Sequence, residues 1–492
     1  MPPASSASTV RPVQTTVPSA TIWSRISEDD FRQHLVTLQK QTNAVPMDVL
    51  TAEDDNDEKH DGISSPFMPL KTEKQFADDF AYIAAVTEGA QSVAAVCLEQ
   101  RFDASSLALN LPTLVIRVAG MDVIDENVKE MLHTIIAQLQ HHSQAMSRRT
   151  HNPPDPDSSA EVIFRSIILQ HEQKLLGRLR SRKWSKPKHL ARTHKKPLRA
   201  DFDNLSHRAQ HVYARRSEHK VREAITISIQ NIQKLYGDFE SSSSDSHSAN
   251  QALLANLVRV TFFWCKSPLI GDYASKLEAT GATTPQIAAA IKTLRQLEKI
   301  GAYWRIAKDL VAIADQHGHL FRHVSLECLA PYASVPTRIA YEPWAHTCHV
   351  HAEIQLAVEL AKKAVVPQQA GNNPSTVEMR RPRAIGTSKY LCYLCYLFLR
   401  YHGNFQMLNT HGRLYDQWTV PDLAEYSPAT RNKFATVLES MDEHIMKQIK
   451  ETECIIWRAE PMTSRQNLLL LHAEPEHVDT FEAGAETFVL SS

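Results

Sequence analysis

Apolar residues along this chain recur mostly at three- and four-residue spacing, the period of a helix with one buried face. That spacing predicts helices over Phe76–Cys97 and Val128–Leu139, through much of residues 160–236, and over Ala252–His317, with Gly271, Gly281 and Gly301 as turn or cap positions. Pro153, Pro154 and Pro156 mark a break at His151–Ser159. The pattern changes near Phe321, where short apolar runs at Val324–Leu329 and Thr337–Ala340 precede a helix that begins near His351. A strand-like Arg383–Ile385 leads into a helix over about Cys392–Tyr401, and Gly403 is placed to end it. A helix over about Thr430–Lys450 and a strand at Cys454–Arg458 follow. Strands alternating with helices describe an α/β domain, here preceded by a mainly α-helical region.

The polar stretches set the expected boundaries. Met1–Ser19 is rich in Pro, Ser, Thr and Val, and acidic residues crowd between Glu53 and Asp61, where like charges resist packing. Residues 1–66 are therefore expected to be largely disordered, with a helical pattern between residues 1–21 and Met47–Pro66. Residues 67–317 read as a mainly helical region containing a basic segment at 174–222 and a Ser-rich linker at 241–248. Residues 320–475 form the α/β domain, and 476–492 a flexible tail.

Composition narrows the class. The chain has 492 residues, 43% of them hydrophobic, enough for a sizeable core. No apolar run reaches the ~18 residues of a membrane span. The N-terminus lacks the basic start and apolar block of a secretory signal. The expectation is an intracellular protein, cytoplasmic or nuclear. Seven scattered cysteines are not a disulfide framework and suit a reducing compartment. A formal net charge of −1 argues against indiscriminate nucleic-acid binding and leaves room for a local basic patch.

Candidate chemistry lies in the last third. His351-Ala352-Glu353 is followed at helical spacing by Ile354, Ala357, Val358 and Ala361, so the tripeptide falls in the first turn of a buried helix. Cys392-Tyr393-Leu394-Cys395 opens the next buried helix, with both thiols on one face. Helix N-termini favour thiolate and carboxylate over their neutral forms. One histidine and two cysteines make three zinc ligands and leave a fourth position open, the layout of a catalytic zinc, beside which Glu353 can move protons. A rival arrangement adds Cys348, three residues before His351, to close a four-ligand structural site. His472-Ala473-Glu474 repeats the tripeptide after the cysteine pair, with Pro475 behind it, and reads as chance.

His351-x-Glu353 followed by Cys392-x-x-Cys395 resembles the signature of the cytidine deaminase-like superfamily of zinc deaminases. Ala384-Ile385-Gly386-Thr387-Ser388-Lys389, Thr410-His411-Gly412, Tyr415–Trp418 and Pro421 resemble a group of uncharacterised fungal members. The superfamily usually has Pro before the first cysteine; here the residue is Leu391. The resemblance covers roughly residues 320–475 and implies a deaminase-like α/β/α sandwich with a mixed central sheet. It also implies zinc on His351, Cys392 and Cys395, with a zinc-bound hydroxide attacking the amine-bearing ring carbon of a nucleobase and Glu353 shuttling the proton. The substrate is a nucleobase, free or in nucleic acid. The alternative is an interaction protein whose deaminase-like domain binds zinc and a partner without turnover.

Other residues carry weaker expectations. Ser388 and Lys389 could contact a phosphate or base, or cap a helix and face solvent; Trp418 and Tyr415 could stack on a base or fill the core. His349 reads as a surface or loop histidine. Cys97, Cys265, Cys328 and Cys454 are expected to pack as small apolar residues. In the basic segment, the Arg178–Arg182 and Arg215–His219–Arg222 spacings fit one helical stripe. That stripe is a nucleic-acid contact, an import signal around Lys195-Lys196-Pro197, or a solvated face. Trp184 alone is available there for base stacking.

Overall fold

The structure is a computed structural model that describes residues 21–50, 68–87, 89, 92–102, 112–147, 155–185, 196–242, 247–280, 284–363 and 378–451. The expected strand at Cys454–Arg458, the second His-x-Glu at 472–474, the tail, and most of the expected disordered and linker stretches lie outside these residues.

Helices α1 (Glu28–Thr42) and α2 (Leu70–Ala84) precede strands β1 (Ala94–Phe102) and β2 (Thr113–Gly120). Helices α3 (Glu126–Ser147), α4 (Pro156–Leu179), α5 (Phe202–Val212), α6 (His219–Ser241), α7 (His247–Lys266), α8 (Pro268–Ala279) and α9 (Pro285–Gln316) follow. The chain returns to strand at β3 (Val324–Cys328) and then forms a short hairpin, β4 (Val335–Pro336) with β5 (Thr347–Cys348). Helix α10 (Ala352–Lys363), strands β6 (Glu378–Arg380) and β7 (Gly386–Thr387), and helices α11 (Tyr393–His402) and α12 (Pro428–Glu451) complete the order.

The main sheet runs β3-β2-β1, with β6 and β7 both pairing along β1. It is mixed: β2–β3 is parallel, while β1 is antiparallel to β2, β6 and β7. Alternate residues of β1 point to opposite faces. Val96 and Leu98 join the core shared with α2, α3 and the helical bundle, whereas Ala95 and Cys97 join the core of α10, α11 and α12. The small side chains on that second face let α10 lie close against the sheet. The result is α/β, with helices on both faces and a large helical region inserted between β2 and β3. Among the described residues, no single helix is long and apolar enough to cross a membrane.

Several expectations are corrected. Phe76–Cys97 is not one helix; it ends at Ala84, and Cys97 lies in β1. The apolar run Ala94–Leu98 is buried on both faces, so its spacing does not separate strand from buried helix. The sheet is not confined to the C-terminal part: its two longest strands come from 94–120 and cross the boundary placed near residue 320. Between the two polar stretches, where the pattern reads as helical, α1 is a capped helix. The Ser27 hydroxyl accepts from Asp30 N (3.1 Å), Glu28, Asp29 and Asp30 occupy its first turn, and Phe31, Leu35 and Leu38 are buried. Gly271 and Gly301 sit inside α8 and α9 rather than at turns. Strand β7 begins at Gly386, just after the expected Arg383–Ile385, and Thr337–Ala340 lies in the hairpin loop.

The Arg178–Arg182 stripe is broken. Helix α4 ends at Leu179, so Arg182 leaves the face that carries Arg178. Lys174 Nζ donates to Ala85 O, and Arg178 to the Tyr82 hydroxyl and Lys299 O. Arg180 pairs with Asp201, and Arg222 donates to Tyr213 O (2.8 Å). Many of these cations serve internal carbonyls and acids.

Candidate metal centre

The two chemical motifs arrive on separate elements, and backbone pairing brings them together. His349 N donates to Gln417 O (2.8 Å) and Thr419 N to His349 O (3.0 Å), which fixes the approach to α10. His351 stands immediately before that helix, and its carbonyl accepts from Gln355 N (3.0 Å). The Gln355 amide then ties this turn to the end of β2, donating to Gly120 O (2.8 Å) and Val350 O (3.0 Å). Cys392 is the N-cap of α11: its sulfur accepts from Cys395 N (3.4 Å) and its carbonyl from Tyr396 N (2.9 Å). Gly403, at φ 75°, closes the far end in the left-handed conformation that lacks a penalty only without Cβ.

His351 Nδ1 lies 3.5 Å from Cys392 Sγ and 3.3 Å from Cys395 Sγ. These three ligand atoms all fall within 4.8 Å of one another, and no other group among the described residues gathers three such donors. The chemistry fits zinc. One imidazole and two sulfurs are a donor set it prefers, and a nitrogen and a sulfur bound to one tetrahedral zinc stand about 3.6 Å apart. Glu353 is buried beside them, its Oε2 accepting from the Cys395 thiol at 3.6 Å.

Electrostatics separate the two thiols. Burial opposes ionisation of Cys392, but hydrogen bonding from Cys395 and the positive His351 ring outweigh it and hold the Cys392 pKa well below the ordinary thiol value. Cys395 is pushed the other way, by burial and then by the charges of Cys392 and Glu353. Burial, and after it the Cys392 charge, raises the pKa of Glu353 despite the opposing pull of His351. His351 is raised: burial opposes its charge, and the Cys392 thiolate overrides that. A metal ion held by both sulfurs would displace whatever protons they carry.

The remaining expected residues find other surroundings. Cys348 is not in the cluster; it accepts from Arg32 Nη1 at 2.7 Å, which turns it towards α1. Ser388 is buried at the edge of β1, where its hydroxyl accepts from Ala94 N (3.1 Å) and its N–H donates to Ala94 O (3.0 Å). Lys389 Nζ donates to Gly89 O (2.7 Å). Trp418 is 1% exposed and packed near Phe31 and Phe398, and its indole N–H meets no hydrogen-bond partner among the described residues. Tyr415 stands edge-on to His411 at 6.0 Å. Cys97 and Cys265 are buried and in no disulfide, and Cys328 is partly buried.

Residue-level reading missed the supports. The α2 carboxylates hold the loop that leads to Cys392: Glu73 accepts from Arg383 N (2.8 Å) and Ala384 N (3.2 Å), and Asp78 from Thr387 N (2.8 Å). Their signal in the sequence is slight, because Glu73 and Asp78 share the helix with other polar residues, Lys71, Lys74, Gln75 and Asp79. Gly386 is required by this approach, since a Cβ there would lie 2.1 Å from the Ala77 carbonyl carbon.

No curated protein and no solved structure is matched by the chain. Residues 350–422, which span His351, Glu353, Cys392 and Cys395, match the model of a deaminase-like family.

Proposed function

We propose that this chain is a zinc-dependent hydrolytic deaminase with a deaminase-like α/β/α core, acting on a cytosine- or adenine-type base, free or in nucleic acid. The observation that carries this reading is a carboxylate beside the donor trio but outside it. His351 Nδ1, Cys392 Sγ and Cys395 Sγ form the trio, and Glu353 reaches only the Cys395 thiol. Three protein donors leave a tetrahedral ion one position for a reactant, whereas a structural site fills all four. When bound, zinc supplies the nucleophile by bringing the pKa of water towards ~7.

The chain's own residues do the rest. The Cys395 backbone N–H donates towards the Cys392 sulfur and fixes its direction. Burial raises the Glu353 pKa, which suits a group that must both take and return a proton near neutral pH. Glu353 would take one proton of the attacking water and deliver it to the ring nitrogen, then take the second from the hydroxyl now on the ring carbon and give it to the departing amine. One water is consumed, the C–NH2 bond becomes C=O, and one ammonia leaves.

The test is ammonia release from zinc-loaded protein across nucleosides, nucleotides, single-stranded DNA and RNA. Glu353→Gln keeps size and polarity but cannot shuttle a proton. It is expected to keep its zinc and lose at least ~10²-fold in turnover on the substrate found. Unchanged turnover assigns the proton to another group, and zinc loss makes Glu353 a ligand or brace. No ammonia from any member of the panel contradicts the deaminase reading.

A further inference from the structure

The motif Thr410-His411-Gly412 stands against a metal-site cysteine and has no part in the chemistry above. Its backbone straddles Cys392. Leu391 O accepts from the Thr410 hydroxyl (2.9 Å) and from His411 N (3.1 Å), while Tyr393 N donates to Arg413 O (2.9 Å). The residues on both sides of Cys392 are thus pinned to the two ends of 410–413, and His411 is held beside the ligand.

The turn is built for this. Gly412 has φ +73°, and a Cβ there would lie 1.9 Å from Met47 O, so only glycine fits. Gly412 N donates to Thr410 Oγ1 (3.0 Å), and Arg413 N donates to His411 Nδ1 (3.1 Å). A ring nitrogen that accepts a hydrogen bond carries no proton, so the proton of this imidazole sits on Nε2. His411 is 7% exposed, and no described residue makes a hydrogen bond with its Nε2. The ring therefore offers a single N–H donor of fixed tautomer beside Cys392, and that donor is not used by the fold.

Resting on the deaminase reading, we propose that His411 is a specificity-determining residue. Its Nε2–H reads a hydrogen-bond acceptor, a carbonyl oxygen or bare ring nitrogen, on the base whose amine is presented at the metal. A donor that cannot become an acceptor favours cytosine- and adenine-type edges. It opposes a base that turns an N–H towards it, because two donors then face each other without a partner. His411 does not transfer the proton; it selects and orients the ring.

The test uses zinc-loaded Glu353→Gln protein, in which turnover is removed, and calorimetric titration with cytidine and with adenosine. Adding His411→Leu is expected to weaken whichever nucleoside binds by about 10- to 100-fold, with zinc unchanged. His411→Gln, whose amide N–H can reach the same acceptor, is expected to recover most of that loss. A purely structural role would show no such recovery. Equal affinity with leucine overturns the proposal and leaves the deaminase reading standing. Zinc loss in both variants also overturns it, because His411 would then act on Cys392 and not on the base. Binding of neither nucleoside by protein that holds zinc overturns this proposal, and the deaminase reading is then decided by the ammonia-release panel, which includes single-stranded DNA and RNA.

Discussion

A single atom decides the role of each cysteine in the last third of the chain. Cys392 and Cys395 each supply one of the three gathered donors, so Cys395→Ser should lower bound zinc from about one per chain to near zero by elemental analysis. Cys348→Ser should leave zinc unchanged, because that thiol faces Arg32 and Asp416 O instead. Zinc loss there would promote the closed four-ligand site. His402 makes a different kind of statement. It is buried and stacked near Phe398 and Phe405, and burial brings its pKa down to about 3. The folded ring stays neutral, whereas the unfolded ring takes a proton below about 6.5. Stability is therefore lost as pH falls from about 6.5 towards the folded value, by roughly 1.4 kcal/mol per unit for this residue. Urea unfolding of His402→Phe at pH 7, 6 and 5 should show a shallower acid decline than the parent; parallel declines would remove His402 as a cause.

Elements differ in how far the sequence reveals them. Helix α11 was legible to within a residue, because Cys392, the apolar run behind it and Gly403 act locally as cap, core and stop. Strand β1 was not, because Ala94–Leu98 is apolar on both faces and its partners are distant: β2 on one side, β6 and β7 on the other. The α2 brace was equally hidden, since Glu73 and Asp78 bond to backbone groups some 300 residues away in sequence. That brace has a measurable consequence. Gly386→Ala places a methyl 2.1 Å from the α2 backbone, which cannot yield as a side-chain tip would. A loss of roughly 3 kcal/mol or more is expected, the range of strong overpacking. Thermal unfolding of the zinc-free protein measures it, and a melting temperature within a degree of the parent would mean that α2 and β7 are not held this closely.

At the scale of the molecule, the segment that carries the candidate metal site depends on chain that lies far from it in sequence. The matched residues 350–422 contain β6 and β7, and both pair with β1; α10 and α11 bury their inner faces with Ala95 and Cys97 of that strand. Helix α1 adds Phe31 and Leu38 to the same core. A fragment of residues 320–475 therefore lacks the centre of its sheet and should show no cooperative unfolding, whereas the full chain should. Cooperative melting of the fragment would restore the boundary near residue 320. The candidate donors were legible because each motif is local; the scaffold was not, because its pairing is long-range. The most direct measurement is zinc K-edge X-ray absorption on the full chain. The open site predicts two sulfur neighbours at about 2.3 Å and two nitrogen or oxygen neighbours at about 2.0–2.1 Å. Three sulfurs with one nitrogen, or four sulfurs, would mean a closed structural site and would contradict the catalytic reading.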